Sequence, residues 1–189
     1  MGVETEVKIK IEAIEGFVDY LLSRGAARVS ERSFEDNILF DFPDGSLEKA
    51  RCILRVRSVG GRGILTYKGA PRPDVIFKSR EELETCVESP ETAIVILERI
   101  GMTRGFRYQK YRQEFALDGV HVAVDETPVG YYAELEGTEE DILNLAEKLG
   151  IEKSCFIRKS YRALYLDYCR ERTIAPQSMV WSAGVSPAC

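Results

Sequence analysis

The stretch Glu4-Thr5-Glu6-Val7-Lys8 opens a run of strict alternation, and no other feature constrains the fold as much. Glu4, Glu6, Lys8, Lys10 and Glu12 share one parity; Thr5, Val7, Ile9 and Ile11 share the other. A period of two sends successive side chains to opposite faces of a strand. One such strand alone is ordinarily a surface strand with its charged face in water. Here the pattern returns several times along the chain, so the charged faces must be accommodated together.

After the first strand, Ile14, Phe17, Val18, Leu21 and Leu22 form the apolar stripe of a helix that stops at Gly25. If that helix covers Val7-Ile9-Ile11, the charged face points the other way, which in a rolled sheet is inward. Further strands are expected over 34–42, over 52–59 with Arg55 and Arg57 on one face, and over 64–69 with Thr66 and Lys68 together. Gly60-Gly61-Arg62-Gly63 between them reads as a hairpin loop. No helix follows it, so it is not read as a phosphate cradle. A strand reaching Thr85 puts Arg80, Glu82 and Glu84 on one parity.

Ser89-Pro90-Glu91 starts a second helix, which ends at Gly101. The segments 22–42 and 97–117 then repeat one order: helix end, glycine, basic stretch, strand. Two related halves would explain it. Tyr108, Lys110, Arg112 and Glu114 share a parity on the next strand; Asp125 follows on another, where His121 among valines reads as a wall residue. Glu134 and Glu136 pair on the last strand. Helices are expected from Thr138 and from Lys159 to Arg172. Residues 1–172 read as a single domain, and 173–189 as a tail ordered only if something holds it.

A chain of 189 residues can bury one substantial core. Its formal net charge of -5 disfavours a non-specific nucleic-acid binder. No apolar run approaches a membrane span, and the first residues do not read as a signal peptide. The five cysteines are scattered without CxxC spacing, and one histidine cannot complete a usual zinc site. They read as reduced thiols of a cytoplasmic protein. No nucleic-acid or membrane partner is expected; the chain is read as a monomer or homodimer.

These elements add up to an α+β fold: an eight-stranded antiparallel β-barrel with a polar, charged bore and helices packed outside. Burying so many charges without a use is costly, because desolvation outweighs pairing. A wet bore holding a highly charged ligand removes the difficulty. Its cations suit an oligophosphate. Its carboxylates suit a hard divalent ion, Mg²⁺ or Mn²⁺.

The same residues carry a family resemblance. Glu4-Thr5-Glu6-Val7-Lys8 matches ExExK, the signature of the CYTH superfamily, also called triphosphate tunnel metalloenzymes. It is followed in order by Leu54-Arg55-Val56-Arg57, Thr66-Tyr67-Lys68-Gly69, Arg80-Glu81-Glu82-Leu83-Glu84, Lys110-Tyr111-Arg112, Val124-Asp125-Glu126, Glu134-Leu135-Glu136 and Lys159-Ser160-Tyr161. The chain resembles the family over residues 3–168, and most closely its class IV adenylate cyclase-like branch, which stands beside thiamine and inorganic triphosphatases.

The resemblance implies roles. Glu4, Glu6, Glu134 and Glu136 would bind metal, with Glu82 or Glu84 and Asp125 as further metal or water ligands. Lys8, Arg55, Arg57, Lys68, Lys110 and Arg112 would clamp the triphosphate, with Arg80 beside them. The family's basic residue near the last helix is matched by Lys159, Arg158 or Arg162. Lys8, Glu82 and Asp125 are the expected catalytic residues. The implied activity is metal-dependent hydrolysis of a triphosphate-containing small molecule. Attack by the ribose 3′-OH of ATP would instead make the chain a cyclase, and a non-enzymatic polyphosphate- or nucleotide-binding module is the third reading.

Overall fold

The chain closes into one barrel of eight strands, each antiparallel to its neighbours. The computed structural model describes residues 2–74 and 76–181. In chain order the strands are β1 (Gly2–Ile11), β2 (Ala27–Asp41), β3 (Ile53–Val59), β4 (Arg62–Lys68), β5 (Lys78–Val87), β6 (Thr103–Leu117), β7 (Val120–Thr127) and β8 (Gly130–Glu136). Around the wall they run β1-β5-β4-β3-β2-β6-β7-β8, and β8 returns to β1. The helices are α1 (Ile14–Ser23), α2 (Ser46–Lys49), α3 (Pro90–Arg99), α4 (Glu139–Lys148) and α5 (Tyr161–Arg172).

The expected repeat is a property of the whole barrel. β1-α1-β2-β3-β4 and β5-α3-β6-β7-β8 are one arrangement used twice. The halves meet at four pairings, β1–β5, β4–β5, β2–β6 and β1–β8. Exchanging them carries the β4–β5 pairing onto β8–β1, so the wall order maps onto itself.

Alternation decides which face each strand gives the core. Val7, Ile9, Phe115, Val122 and Leu135 are buried outside the wall with Val18 and Leu21 of α1 and Ile142 and Leu145 of α4. Each contributes roughly 1.5–3 kcal/mol. Ile94 and Leu97 of α3 cover a second cluster on Phe40 and Val56. Ser89 and Thr138 cap their helices as the sequence predicts, and Ser160 caps α5, which starts at Tyr161 rather than Lys159; each accepts from a backbone N–H in the first turn of the helix that follows.

Three features differ from expectation. β2 begins at Ala27 rather than at 34, because residues 28–33 follow bulges against β6 and lie mostly exposed, which erases the alternation. The one-turn α2 carries too little periodicity to read; the Asp41 carboxylate holds it by accepting from Leu47 and Glu48 N–H, each at 2.9 Å. Residues 174–181, expected as a tail ordered only if held, are held: Met179 N–H donates to Arg107 O at 3.0 Å, and Gln109 N–H to Met179 O at 2.8 Å. The rest of that tail, 182–189, lies outside the described residues.

Candidate functional site

The strand faces turned from the core line a cavity of about 690 Å³ inside the barrel. Glu4, Glu6 and Lys8 of β1 line it, with Arg55 and Arg57 of β3 and Lys68 of β4, and so do Glu82 and Glu84 of β5, Lys110 and Arg112 of β6, and Glu134 and Glu136 of β8. Of the other expected residues, Arg80 is buried behind the surface, beside Glu4 and Glu6. Asp125 is completely buried. Lys159 points away from the cavity: it is 59% exposed and pairs with Asp167 at 2.5 Å. Arg158 donates to Phe77 O. Arg162 is the basic residue of this turn that reaches the cavity, where it pairs with Glu48 at 2.5 Å.

One end of the bore is a closed ion-pair network. Arg112 donates to both oxygens of Asp125, at 2.7 and 2.6 Å, and also to Glu134. Lys110 donates to Asp125 at 3.0 Å, and Lys8 to Glu134 at 2.5 Å. Burial pushes the Glu134 carboxyl up, but Lys8 and Arg112 outweigh it and hold it well below the usual range. Burial likewise works against the charge of Arg112, and Asp125 and Glu134 reverse the balance. Asp125, expected as a ligand or catalytic group, therefore lies under the cavity surface fixing Lys110 and Arg112.

The middle of the bore is cationic. Glu35 pairs with Arg57 at 3.3 Å and Lys110 at 3.6 Å. Burial would raise the Glu35 carboxyl, but Lys110, Arg112 and Arg57 lower it to about 2. Arg55 donates to Tyr108 OH at 3.2 Å and to Thr66 Oγ1 at 3.1 Å, and the Thr66 hydroxyl donates to Glu84 at 3.0 Å.

The other end holds carboxylates in excess. Lys68 reaches both Glu4 at 2.7 Å and Glu82 at 2.6 Å, while Lys78 pairs with Glu6. Burial and a shared hydrogen bond with Glu82 push the Glu4 carboxyl up to about 7. Burial and the charge of Glu4 push Glu136 up as well. Glu6 resists: burial raises it, but Lys78 brings it down to about 2. Among the described residues no three carboxylate, histidine or cysteine side chains converge on one metal position. The chemistry of the set still fits a hard divalent cation, because Glu4, Glu82 and Glu136 are oxygen donors and two of them, Glu4 and Glu136, are raised by burial and neighbouring carboxylates.

Several site residues were not read from the sequence. Lys78 shares the parity of Arg80 and Glu82, so extending β5 to its observed start would have found it. Glu35 and Asn37 are buried at 3% and 0% exposure on the inner face of β2, where polar residues on both parities hide the alternation. His121, expected in the wall, turns inward and lines the cavity 3.6 Å from Glu114. Tyr161 opens α5, and a helix start offers no strand period to read.

Comparisons with known proteins show a family and a shared fold. The model of the CYTH domain matches residues 2–161. The Methanocaldococcus jannaschii protein MJ0240, a candidate adenylate cyclase, is 29% identical over 173 residues, covering 86% of this chain and 98% of that one. Among solved structures, a candidate adenylate cyclase from Vibrio parahaemolyticus superimposes with a TM-score of 0.75 at 19% identity, over 85% of this chain and 96% of that one. HpAC1 from Hippeastrum, a candidate adenylyl cyclase described as having a dominant triphosphatase activity, gives 0.67 at 19% identity, over 89% and 96%. At such identity the two structures show a shared fold.

Proposed function

This chain belongs to the CYTH domain family, and from that premise we propose that it is a divalent-metal-dependent phosphohydrolase acting on a triphosphate bound inside the barrel. One observation supports the reading: a cationic wall of Arg55, Arg57, Lys68 and Lys110 adjoins a carboxylate end where burial and neighbouring carboxylates raise both Glu4 and Glu136. A pure anion binder needs only the first. Glu4, Glu82 and Glu136 would hold Mg²⁺ or Mn²⁺, which supplies charge neutralisation at the phosphate oxygens.

The chain's own groups do the rest. Arg55 and Arg57 present guanidinium N–H groups to phosphate oxygens, and Lys68 and Lys110 add point charges. Asp125 and Glu134 hold Lys110, Arg112 and Lys8 in place. A water oxygen attacks the terminal phosphorus, the bond to the bridging oxygen breaks, and the cations meet the negative charge that gathers on the leaving phosphate. The water's proton leaves through the wet bore.

A second reading is favoured by the apolar stretch of the cavity wall formed by Leu39, Ile53 and Phe106. That wall suits an organic group on the triphosphate; with ATP the 3′-OH attacks the α-phosphorus instead, the α–β bridging bond breaks, and cyclic AMP forms as pyrophosphate and the hydroxyl proton leave. The deciding experiment measures phosphate, pyrophosphate and cyclic AMP from tripolyphosphate and from ATP, with Mg²⁺ or Mn²⁺ and with chelator. Turnover of neither substrate with either metal would leave the binding-module reading.

A further inference from the structure

The residues that end the described chain, 174–181, make contacts that lead into the bore. β7 pairs β6 only from Tyr111 onward. On that side Met179 takes the backbone groups of Arg107 and Gln109 instead, through the two hydrogen bonds given above. Its side chain is completely buried in the cluster of Tyr108, Tyr161, Tyr165 and Cys169. Gln177 N–H donates to Tyr165 OH at 3.2 Å, and Trp181 N–H to Gln109 Oε1 at 3.3 Å. The indole packs on Tyr111, with ring centroids 5.2 Å apart. Tyr108, bridged to Met179, turns its hydroxyl to Arg55.

We propose that residues 174–181 are a positioning strap for the anion clamp, in which Met179 fixes Tyr108 and, through it, the Arg55 guanidinium. The inference rests on reading the bore as a triphosphate site. The strap lies beyond the residues matched to the family, 2–161. Tyr108 is flanked by Phe106 at 5.9 Å and Tyr161 at 6.1 Å. Removing the Met179 side chain opens a void beside the phenol, into which neighbours relax only partly. Arg55 then loses a fixed acceptor, and binding must restrict a freer side chain. Coupling is reciprocal: a ligand held by Arg55 tightens the strap in turn. Trp181, the chain's one tryptophan, reports it.

The test uses the full chain with tripolyphosphate and Mg²⁺, reading binding heat and Trp181 emission together. In the native protein, emission should change saturably with the midpoint of the binding heat. Met179→Ala should weaken binding about three- to tenfold, the size of one net hydrogen bond lost, and Met179→Leu should restore most of it. Leu97→Ala, which opens a void in the separate cluster beneath α3, should lower the melting temperature without changing Kd. Native binding heat with unchanged emission, and with Met179→Ala binding like the native protein, would overturn the strap. Should Met179→Ala not fold, the native emission titration decides by itself. No binding heat from the native protein would overturn the triphosphate reading and the strap with it.

Discussion

Tyr161 donates its hydroxyl proton to Asp125 Oδ2 at 2.5 Å, beside the Lys110 and Arg112 donors to the same carboxylate. The first residue of α5 is thereby an inner residue of the barrel. Its ring also lies under two lysine ammonium groups, Lys8 at 4.6 Å and Lys110 at 5.2 Å. Burial, and after it Asp125, raises the Tyr161 phenol well above its usual range, so it stays a neutral donor. Helix and clamp are therefore tied through one polar contact.

Tyr161→Phe should cost about 1–2 kcal/mol, toward the low side for a hydrogen bond to a charged group, because Arg112 and Lys110 still satisfy Asp125. Thermal melts with and without tripolyphosphate check this. The ring remains over both lysines, so ligand stabilisation should survive. Its complete loss would make the hydroxyl a ligand contact instead.

Arg57→Ala and Arg112→Ala should separate the clamp from its frame. Arg57 lines the cavity with one carboxylate partner, Glu35. Its loss should weaken triphosphate affinity by about 1.5–3 kcal/mol with the melting temperature nearly unchanged. Arg112 is the buried partner of Asp125 and Glu134 together. Its loss should destabilise the fold by about 3–5 kcal/mol. Equal melting losses in the two variants would contradict this division.

Glu4 sets a pH dependence. Its folded carboxyl titrates at about 7, above the usual 4.5. Between those values the folded state keeps a proton that the unfolded state has lost. Stability therefore falls as pH rises through 4.5–7, by about 3 kcal/mol for the full shift. Melts of the native protein in chelator, minus those of Glu4→Gln, should show that slope, and Mg²⁺ or Mn²⁺ should flatten it. A difference that does not vary with pH would show that Glu4 is not strained.

The sequence displays the barrel because its strands set apolar and charged residues on opposite parities, as Val7-Ile9 against Glu6-Lys8 does. Legibility fails where that contrast is absent. In β2 the outward Asp36 and the inward Glu35 and Asn37 are all polar, so the inner face cannot be told from the outer. Lys159 and Arg162 lie on one turn, and the phase of a helix start decides which reaches the cavity. Met179 reads as plain tail, because its partners are 71 and 18 residues away, at Tyr108 and Tyr161.

Glu6 and Glu136 should respond differently to neutralisation, although both were expected as metal ligands. Glu6 is paired with the largely buried Lys78 and is already held ionised. Glu6→Gln leaves that lysine without its partner, so the metal-free melting temperature should fall. Glu136 sits where negative charge is in excess, raised by burial and by Glu4. Glu136→Gln removes repulsion, so the metal-free protein should melt at the same temperature or higher. The metal concentration that half-activates tripolyphosphate hydrolysis should nevertheless rise, by about the 10–100-fold that follows even the loss of an outer-shell partner. Titrating Mn²⁺ against both variants, with melts in chelator, reads the two effects separately. If Glu136→Gln keeps the native metal requirement while Glu6→Gln loses it at unchanged stability, the cation sits on Glu6, and Lys78 must leave that carboxylate to admit it.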